Sequence, residues 1–557
     1  MSHHRLAIRP VTRNRASKLL PVNARFLFWL LTLAAPLVAP PTALGFGKAH
    51  YFVLVVWDGM RPDFVTPELT PTLCSLRSNG VWFAHHHSAY PTSTEVNGTV
   101  LATGAFPQRN GISANKEYRR AIDPLKPYGT QSLRAVRRGD ELTNGKYVAV
   151  PTVAESVQAT GFSTAVVGAK PVALLHDRRG RGDGALGSVW FVEGALPESL
   201  FGTLTNRFGS FPAPVSPNVA RDIWATRCLA EAFWEREMPR YSVLWLSEPD
   251  YSQHAHGPGS PEALAAIRSC DQRLGAVLAE LDRRGLRSQT DVMVVSDHGF
   301  STIGANADVA AALCGEGIPA RVTWDKPPAK GDVVVVGNGG SVLLYVTGRN
   351  DGRIRQIVRV LQHQRFAGVI FTRRSMQGTF SLAEAMLASP TAPDVVVATR
   401  WVQPTSTNTH TLSLVFNDGY NEYDSGCGMH VTLCPTDLHN IAIACGPDFG
   451  RGLTDPLPSG NVDIAPTLLW LMGVPPQQRF DGRVLSEALL VAGPAVGKAS
   501  NGRRDARAEF EDGVWEQYLN FTELNGVRYL DEGNGNWNPV SAAVIRGSQG
   551  SDGVPDR

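Results

Sequence analysis

The segment DVMVVSDHGF (291–300) constrains this chain more than any other. An apolar run of strand length ends on adjacent Asp297 and His298, followed by Gly299. In α/β folds the side chains that bind and react gather at the carboxyl edge of buried strands. Taken alone, the pair is equally an Asp-His turn closing a strand. The pattern recurs, however. YFVLVVWDG (51–59) ends on Asp58, YSVLWLSEPDYSQHAHG (241–257) carries Asp250 with His254 one helical turn later, and GMHVTLCPTDLHN (428–440) carries His430. Four separated segments repeating one pattern point to a shared site.

Between these segments apolar strands alternate with helical periodicity. VPTVAESVQATG (150–161), NVARDIWATRCLAEAFWERE (218–237) and PEALAAIRSCDQRLGAVLAELDRRG (261–285) predict helices, each leading into a strand. Such alternation predicts an α/β fold with a mostly parallel sheet sandwiched by helices. From about 304 to 426 the character changes. GDVVVVGNGGSVLLYVTG predicts a hairpin turning at Asn338-Gly339, and a helix and further strands follow. The glycines at 337–340 have no following Lys-Ser/Thr or helix, which excludes a phosphate loop. The expected organisation is a signal peptide over 1–45, a core over 46–303 and 427–498, an inserted α+β cap over 304–426, and a C-terminal tail over 499–557. Strands are suggested in that tail only by WEQYLNFTELNGVRYL.

Residues 1–45 carry six basic groups and no acidic one, then the apolar run FLFWLLTLAAPLVAP (26–40) and the small residues Ala43 and Gly45. This order fits a cleaved secretory signal and an exported protein, periplasmic or secreted. Pro36, Pro40 and the short apolar length oppose a stable membrane span. With 53 basic and 51 acidic residues in all, loss of those six changes the formal charge from +2 to −4. That balance gives no reason to expect binding to nucleic-acid duplexes. The seven cysteines show no CxxC spacing, and a Cys427 bridge to Cys434 or Cys445 is open to an exported chain.

Asp58, Asp250, His254, Asp297, His298 and His430 mix carboxylate with imidazole, the donor set of zinc or a similar divalent ion. Six ligands suit two ions with three ligands each, and paired ions clamp the entering and departing oxygens of phosphoryl transfer. In SAYPTSTEVNG (88–98), Thr94 stands where a helix begins, so the positive end of the helix dipole faces it. It is either an N-cap or a hydroxyl nucleophile. Asn97, one turn on, can donate to a phosphate oxygen. Lys170, after the strand STAVVGA, either reaches the phosphate or is a solvated loop lysine. HHH at 85–87 is either a metal tract or a strand end.

These residues carry a resemblance. VVWDGMRPD, PTSTEVNG…ATG, LSEPDYSQH, VVSDHGF and GMH…DLHNIAIACGPDF…GNVDIAPTLL resemble the nucleotide pyrophosphatase/phosphodiesterase branch of the alkaline phosphatase superfamily, in its bacterial exported form. The likeness covers about 50–300 and 426–475. It implies an alkaline phosphatase-like core and a small phosphoester substrate. Two divalent ions, Zn2+ above all, are implied with it: one on Asp58, Asp297, His298 and the Thr94 oxygen, the other on Asp250, His254 and His430. It further implies a phospho-threonine intermediate hydrolysed by water, with Asn97 as oxyanion donor. Two positions depart from the pattern. Glu95 stands where nucleotide-cleaving relatives often have an aromatic, which disfavours a base-bearing leaving group and suits a cationic one. His430 is followed by Val431 where relatives usually have Gly, leaving His256 and His439 as alternative ligands. The expected function is a phosphodiesterase or pyrophosphatase. A phosphomonoesterase or phosphonate hydrolase on the same core is the first alternative, and a non-catalytic metal-binding member of the fold the second.

Overall fold

The apolar runs of the sequence become strands of one nine-stranded sheet. In chain order these are β1 (Tyr51–Trp57), β2 (Val81–His87), β3 (Thr164–Gly168), β4 (Gly187–Phe191), β5 (Gly194–Leu196), β6 (Tyr241–Leu246), β7 (Thr290–Val295), β8 (Ala442–Cys445) and β9 (Leu453–Gly460). Their spatial order is β9-β2-β8-β7-β1-β6-β3-β4-β5. This is a computed structural model, and it describes residues 47–404 and 410–540 apart from Arg181 and Asp183. The predicted signal segment 1–45 and the end of the tail lie outside the described residues. Among those described, no helix is long and apolar enough to cross a membrane.

The sheet is mostly parallel. β1 pairs in parallel with β6 on one side and β7 on the other, while β8 and β5 run antiparallel to their neighbours. Along β1 alternate side chains enter two separate cores: Phe52, Leu54 and Val56 on one face, Val53, Val55 and Trp57 on the other. A strand buried on both faces must read as a continuous apolar run, which is why β1, β6 and β7 were visible in the sequence. In register, Trp57 lies beside Leu246 and Val56 beside Val295, so the three strands end together at one edge.

Three helices serve that edge. Helix α1 (Thr94–Thr103) follows β2, α2 (Asp250–His256) follows β6, and α3 (Pro261–Arg283) leads back to β7. Gly98 lets α1 descend onto the sheet, because a Cβ there would stand 2.3 Å from Val172 and 3.2 Å from the Trp245 ring. The predicted helix over 218–237 is α-helical only at Val219–Arg227 and continues as a π-helical turn over Cys228–Phe233. The extra residue per turn carries Leu229 and Trp234 into the core below β3 and β6, a packing demand that amphipathic periodicity does not reveal.

Residues 301–429 supply two smaller sheets. Val333–Gly337 and Ser341–Val346 form the predicted hairpin, with the Asn338 amide donating to Ser341 O. They belong to a six-stranded sheet covered by the helix Asp351–Gln362. A four-stranded sheet, containing Ser301–Asn306 and Gly428–Met429, links this part to the end of β7. The C-terminal segment is more ordered than its composition suggests. Ser500–Phe510, Gly513–Leu524 and Val527–Pro539 make a three-stranded antiparallel meander. Its first strand is polar and largely exposed, so it lacks the alternation that would have marked it. All seven cysteines are free, so neither bridge to Cys427 is formed.

Candidate active site

Asp58 follows β1 directly, Asp297 and His298 follow β7 closely, and Asp250 opens α2 after the short loop 247–249 that leaves β6. His254 lies one turn along α2, and His430 follows the short strand Gly428–Met429. Because the three strands end together, these ligands converge. Asp58, Asp297 and His298 place one donor atom each within 4.8 Å of one another, and so do Asp250, His254 and His430. The groups adjoin: His298 Nε2 is 3.6 Å from Asp58 Oδ1 and 4.0 Å from Asp250 Oδ1, while His430 Nε2 is 3.6 Å from Asp250 Oδ1. His256 instead meets Ser216 at the surface, and His439 lies in a different cluster, so neither replaces His430.

Each histidine is aimed by its other nitrogen. Nδ1 of His298 donates to Gly299 O, that of His254 to Gly428 O, both at 2.9 Å, and that of His430 to Thr92 O at 2.6 Å. All three therefore turn Nε2 inward. The carboxylates are held likewise. Trp245 Nε1 donates to Asp58 Oδ2 at 2.7 Å, and the Gly59 and His298 amides donate to Asp297 Oδ1. The remaining oxygens, Asp58 Oδ1, Asp250 Oδ1 and Asp297 Oδ2, are buried without a hydrogen bond. Three carboxylate oxygens without a hydrogen bond, one of them facing the Lys170 ammonium, and three imidazole nitrogens turned toward them are a donor set that suits divalent cations.

The electrostatics agree with that fit. Burial, aided by Asp297, holds the Asp58 carboxyl well above the ordinary range, and burial raises Asp297 to about 7 against the pull of Lys170. Burial also opposes ionisation of Asp250, but the adjacent Lys170 ammonium outweighs it and holds that group well below the usual value. Burial keeps His298 and His430 low, so both stay neutral donors.

Thr94 is the first residue of α1, with Ser93 in the capping position, so it is not the N-cap. Its Oγ1 lies 3.3 Å from His298 Nε2 and 3.5 Å from Lys170 Nζ. Lys170 is no solvated loop lysine. Its ammonium sits 2.7 Å from Asp250 Oδ2 and 3.0 Å from Asp58 Oδ1, with a fifth of the side chain exposed. Asn97 is not placed as the oxyanion donor expected of it. Fully buried, its amide group donates to Ala89 O and Ser93 O and its oxygen accepts from the Ala89 amide and Asn461 Nδ2. It braces the loop that presents Thr94. Asn115 is a residue the sequence did not mark: its Oδ1 accepts from the Glu95 amide at 3.0 Å, next to Thr94. Glu95 is buried with Oε2 unpartnered, and burial raises its carboxyl to about 7 although Lys170 pulls it down.

Val431 explains the departure noted after His430. Its φ is +78°, the left-handed region that favours glycine and is sterically costly for a β-branched residue. The conformation is held by Val431 N donating to Thr92 Oγ1 and Val431 O accepting from Ser341 Oγ, strain of about 1–3 kcal/mol kept at the edge of the site.

The fold is the one seen in human ectonucleotide pyrophosphatase/phosphodiesterase 5, with a TM-score of 0.57 at 15% identity over 79% of this chain and all of that one. The murine counterpart, solved as an inactive form in complex with AMP, gives a TM-score of 0.55 at 16% identity over the same shares. The class is thus an α/β protein with an alkaline phosphatase-like core. Residues 52–403 match the family model for type I phosphodiesterase / nucleotide pyrophosphatase, and the chain belongs to that family. Among curated relatives, ectonucleotide pyrophosphatase/phosphodiesterase family member 1 of Mus musculus is 27% identical over 47% of this chain and 24% of its own length. The venom phosphodiesterase of Macrovipera lebetinus is 24% identical over 50% of this chain and 29% of its own. The chain thus spans about a quarter of the length of the curated relatives it matches.

Proposed function

We propose that the protein is an exported hydrolase of phosphodiesters or nucleotide pyrophosphates, with Thr94 as nucleophile and two divalent ions, zinc by donor type. One ion would be held by Asp58, Asp297, His298 and Thr94, the other by Asp250, His254 and His430. The observation that carries this reading is the convergence of three carboxylate oxygens that accept no hydrogen bond and three aimed Nε2 atoms around one threonine hydroxyl. When bound, such ions lower the pKa of a coordinated hydroxyl and offset charge on phosphoryl oxygens. The chain supplies the rest. Thr94 Oγ gives up its proton and forms the bond to phosphorus as the ester oxygen departs as the alcohol, and water then cleaves the phospho-threonine, its hydroxyl going to phosphorus and its proton to Thr94. The first turn of α1 directs its amide dipoles at the phosphoryl group, and Lys170 adds a positive charge beside it.

Export is supported by the basic and then apolar character of 1–45, and the division into core, cap and tail by the separate sheets. Replacing Thr94 tests the main reading. With Thr94→Ala, turnover of bis-p-nitrophenyl phosphate falls by at least about 10³-fold while the metal content stays at that of the parent chain. An active Thr94→Ala variant sinks the nucleophile assignment.

A second reading, hydrolysis of monoesters or phosphonates, is favoured specifically by Lys170. A dianionic group carries one more charge than a diester, and an ammonium 3.5 Å from the nucleophile offsets it. The ratio of p-nitrophenyl phosphate to bis-p-nitrophenyl phosphate turnover decides between the two.

A further inference from the structure

A third donor cluster lies outside the site. His87 ends β2, His439 follows the short helix Pro435–Leu438 and faces His87 across an isolated bridge, and Asp531 comes from the last strand of the C-terminal meander. One donor atom of each lies within 4.8 Å of the others. We propose that His87, His439 and Asp531 form a third divalent-cation site, of zinc type, that pins the C-terminal sheet to the catalytic core.

The geometry of each ligand supports this. His87 Nδ1 lies 2.9 Å from Ser459 O, which can only accept, so Nδ1 carries the ring proton. Nε2 faces Asp531 Oδ1, 2.9 Å away. A lone pair and a carboxylate oxygen repel at that distance unless a positive charge stands between them. A proton would satisfy that one contact. The His439 ring, hydrogen-bonded to the Asp531 main chain, lies against the same pair, its centroid 4.6 Å from that of His87. A cation uses donors from all three.

Asp531 reaches this point through a β-bulge. In the meander Asn520 pairs with Glu532 and Phe521 with Leu530, so Asp531 is the extra residue, and bulges re-aim side chains in this way. Its second oxygen accepts from Thr522 Oγ1 at 2.9 Å, leaving Oδ1 as a single fixed donor. Held ligands backed by a carbonyl and a hydroxyl are the outer-shell pattern of metal sites. A cleft of about 540 Å³ lined by His439, Asp531 and Glu532 gives room for a fourth ligand. Arg503 borders the same cleft but is paired with Asp505 at 2.8 Å.

The test uses the full chain, stripped of metal, reloaded with zinc and desalted. Metal analysis of Asp531→Asn and His439→Ala is expected to show one equivalent of zinc per chain fewer than the parent, whatever the parent's total. Turnover of bis-p-nitrophenyl phosphate at saturating zinc should stay within a few-fold. An equal count in parent and variants overturns the proposal and leaves a His-Asp ion pair. For a variant that does not fold, crystals of the parent chain decide: an anomalous peak at the zinc edge between the three side chains supports the site, and no peak there overturns it.

Discussion

The two candidate ligand groups of the site are unequal. Asp58, Asp297 and His298 are completely buried, stand on the ends of adjacent strands of the central sheet, and are held by an indole and two backbone amides. Asp250, His254 and His430 come from a helix and from the strained turn after Met429, and 14% of the His254 side chain is exposed. A ligand on a core strand moves only if the sheet moves, whereas one on a helix start or loop adjusts alone. The difference teaches that one half of the centre is scaffold and the other is adaptable, so the two should tolerate damage differently.

Replacing scaffold ligands has the largest expected effect. Asp58→Ala should reduce turnover of every substrate by about 10³-fold or more, with loss of one metal equivalent that excess zinc does not restore. His254→Ala, in the adaptable half, should lose about 10- to 100-fold and recover part of it at high zinc. Equal and equally irreversible losses would break the comparison; metal titration followed by turnover measures both.

Lys170 spans the halves, bonding Asp58 on one side and Asp250 on the other. Lys170→Ala is expected to depress p-nitrophenyl phosphate turnover about 10- to 100-fold more than bis-p-nitrophenyl phosphate turnover, the worth of one charge-assisted contact. A uniform loss would assign the lysine to carboxylate pairing alone. Glu95 gives a smaller change. Glu95→Gln should alter the ranking of choline-type against nucleotide esters by a few-fold, and an unchanged ranking removes it from leaving-group selection.

The smallest effect concerns stability behind the adaptable half. Asp222 accepts from the Ser247 amide and hydroxyl, three residues before Asp250, and burial raises its carboxyl to about 8. A carboxyl whose folded value is raised stabilises the fold fully below its unfolded value near 3.8, and that contribution is lost as pH rises toward about 8. Thermal melts of Asp222→Asn should therefore fall less steeply between pH 5 and 8 than those of the parent chain. Parallel slopes would refute this.

What the sequence disclosed follows from the same contrast. Continuous apolar runs ending on Asp58 and Asp297 were legible because doubly buried parallel strands leave no other pattern. Thr94, Asp250 and His254 were legible beside them. Lys170 was not, because a lysine after a strand looks the same whether it faces water or carboxylates. Asn97 was assigned by its distance from Thr94, yet its amide turns back to brace the loop, an orientation fixed by residues as remote as Asn461. Asp531 gave no signal, because a bulge depends on strand pairing rather than on local composition.

The meander also bears on how the molecule is made. Leu519, Phe521 and Leu530 pack in one cluster with Tyr90, Val96 and Val100 on either side of Thr94, and Trp401 donates to Gly533 O. During vectorial synthesis every reactive side chain has left the ribosome long before these strands emerge. A nascent chain therefore holds the whole candidate site but lacks the wall behind it until residues 500–539 have emerged.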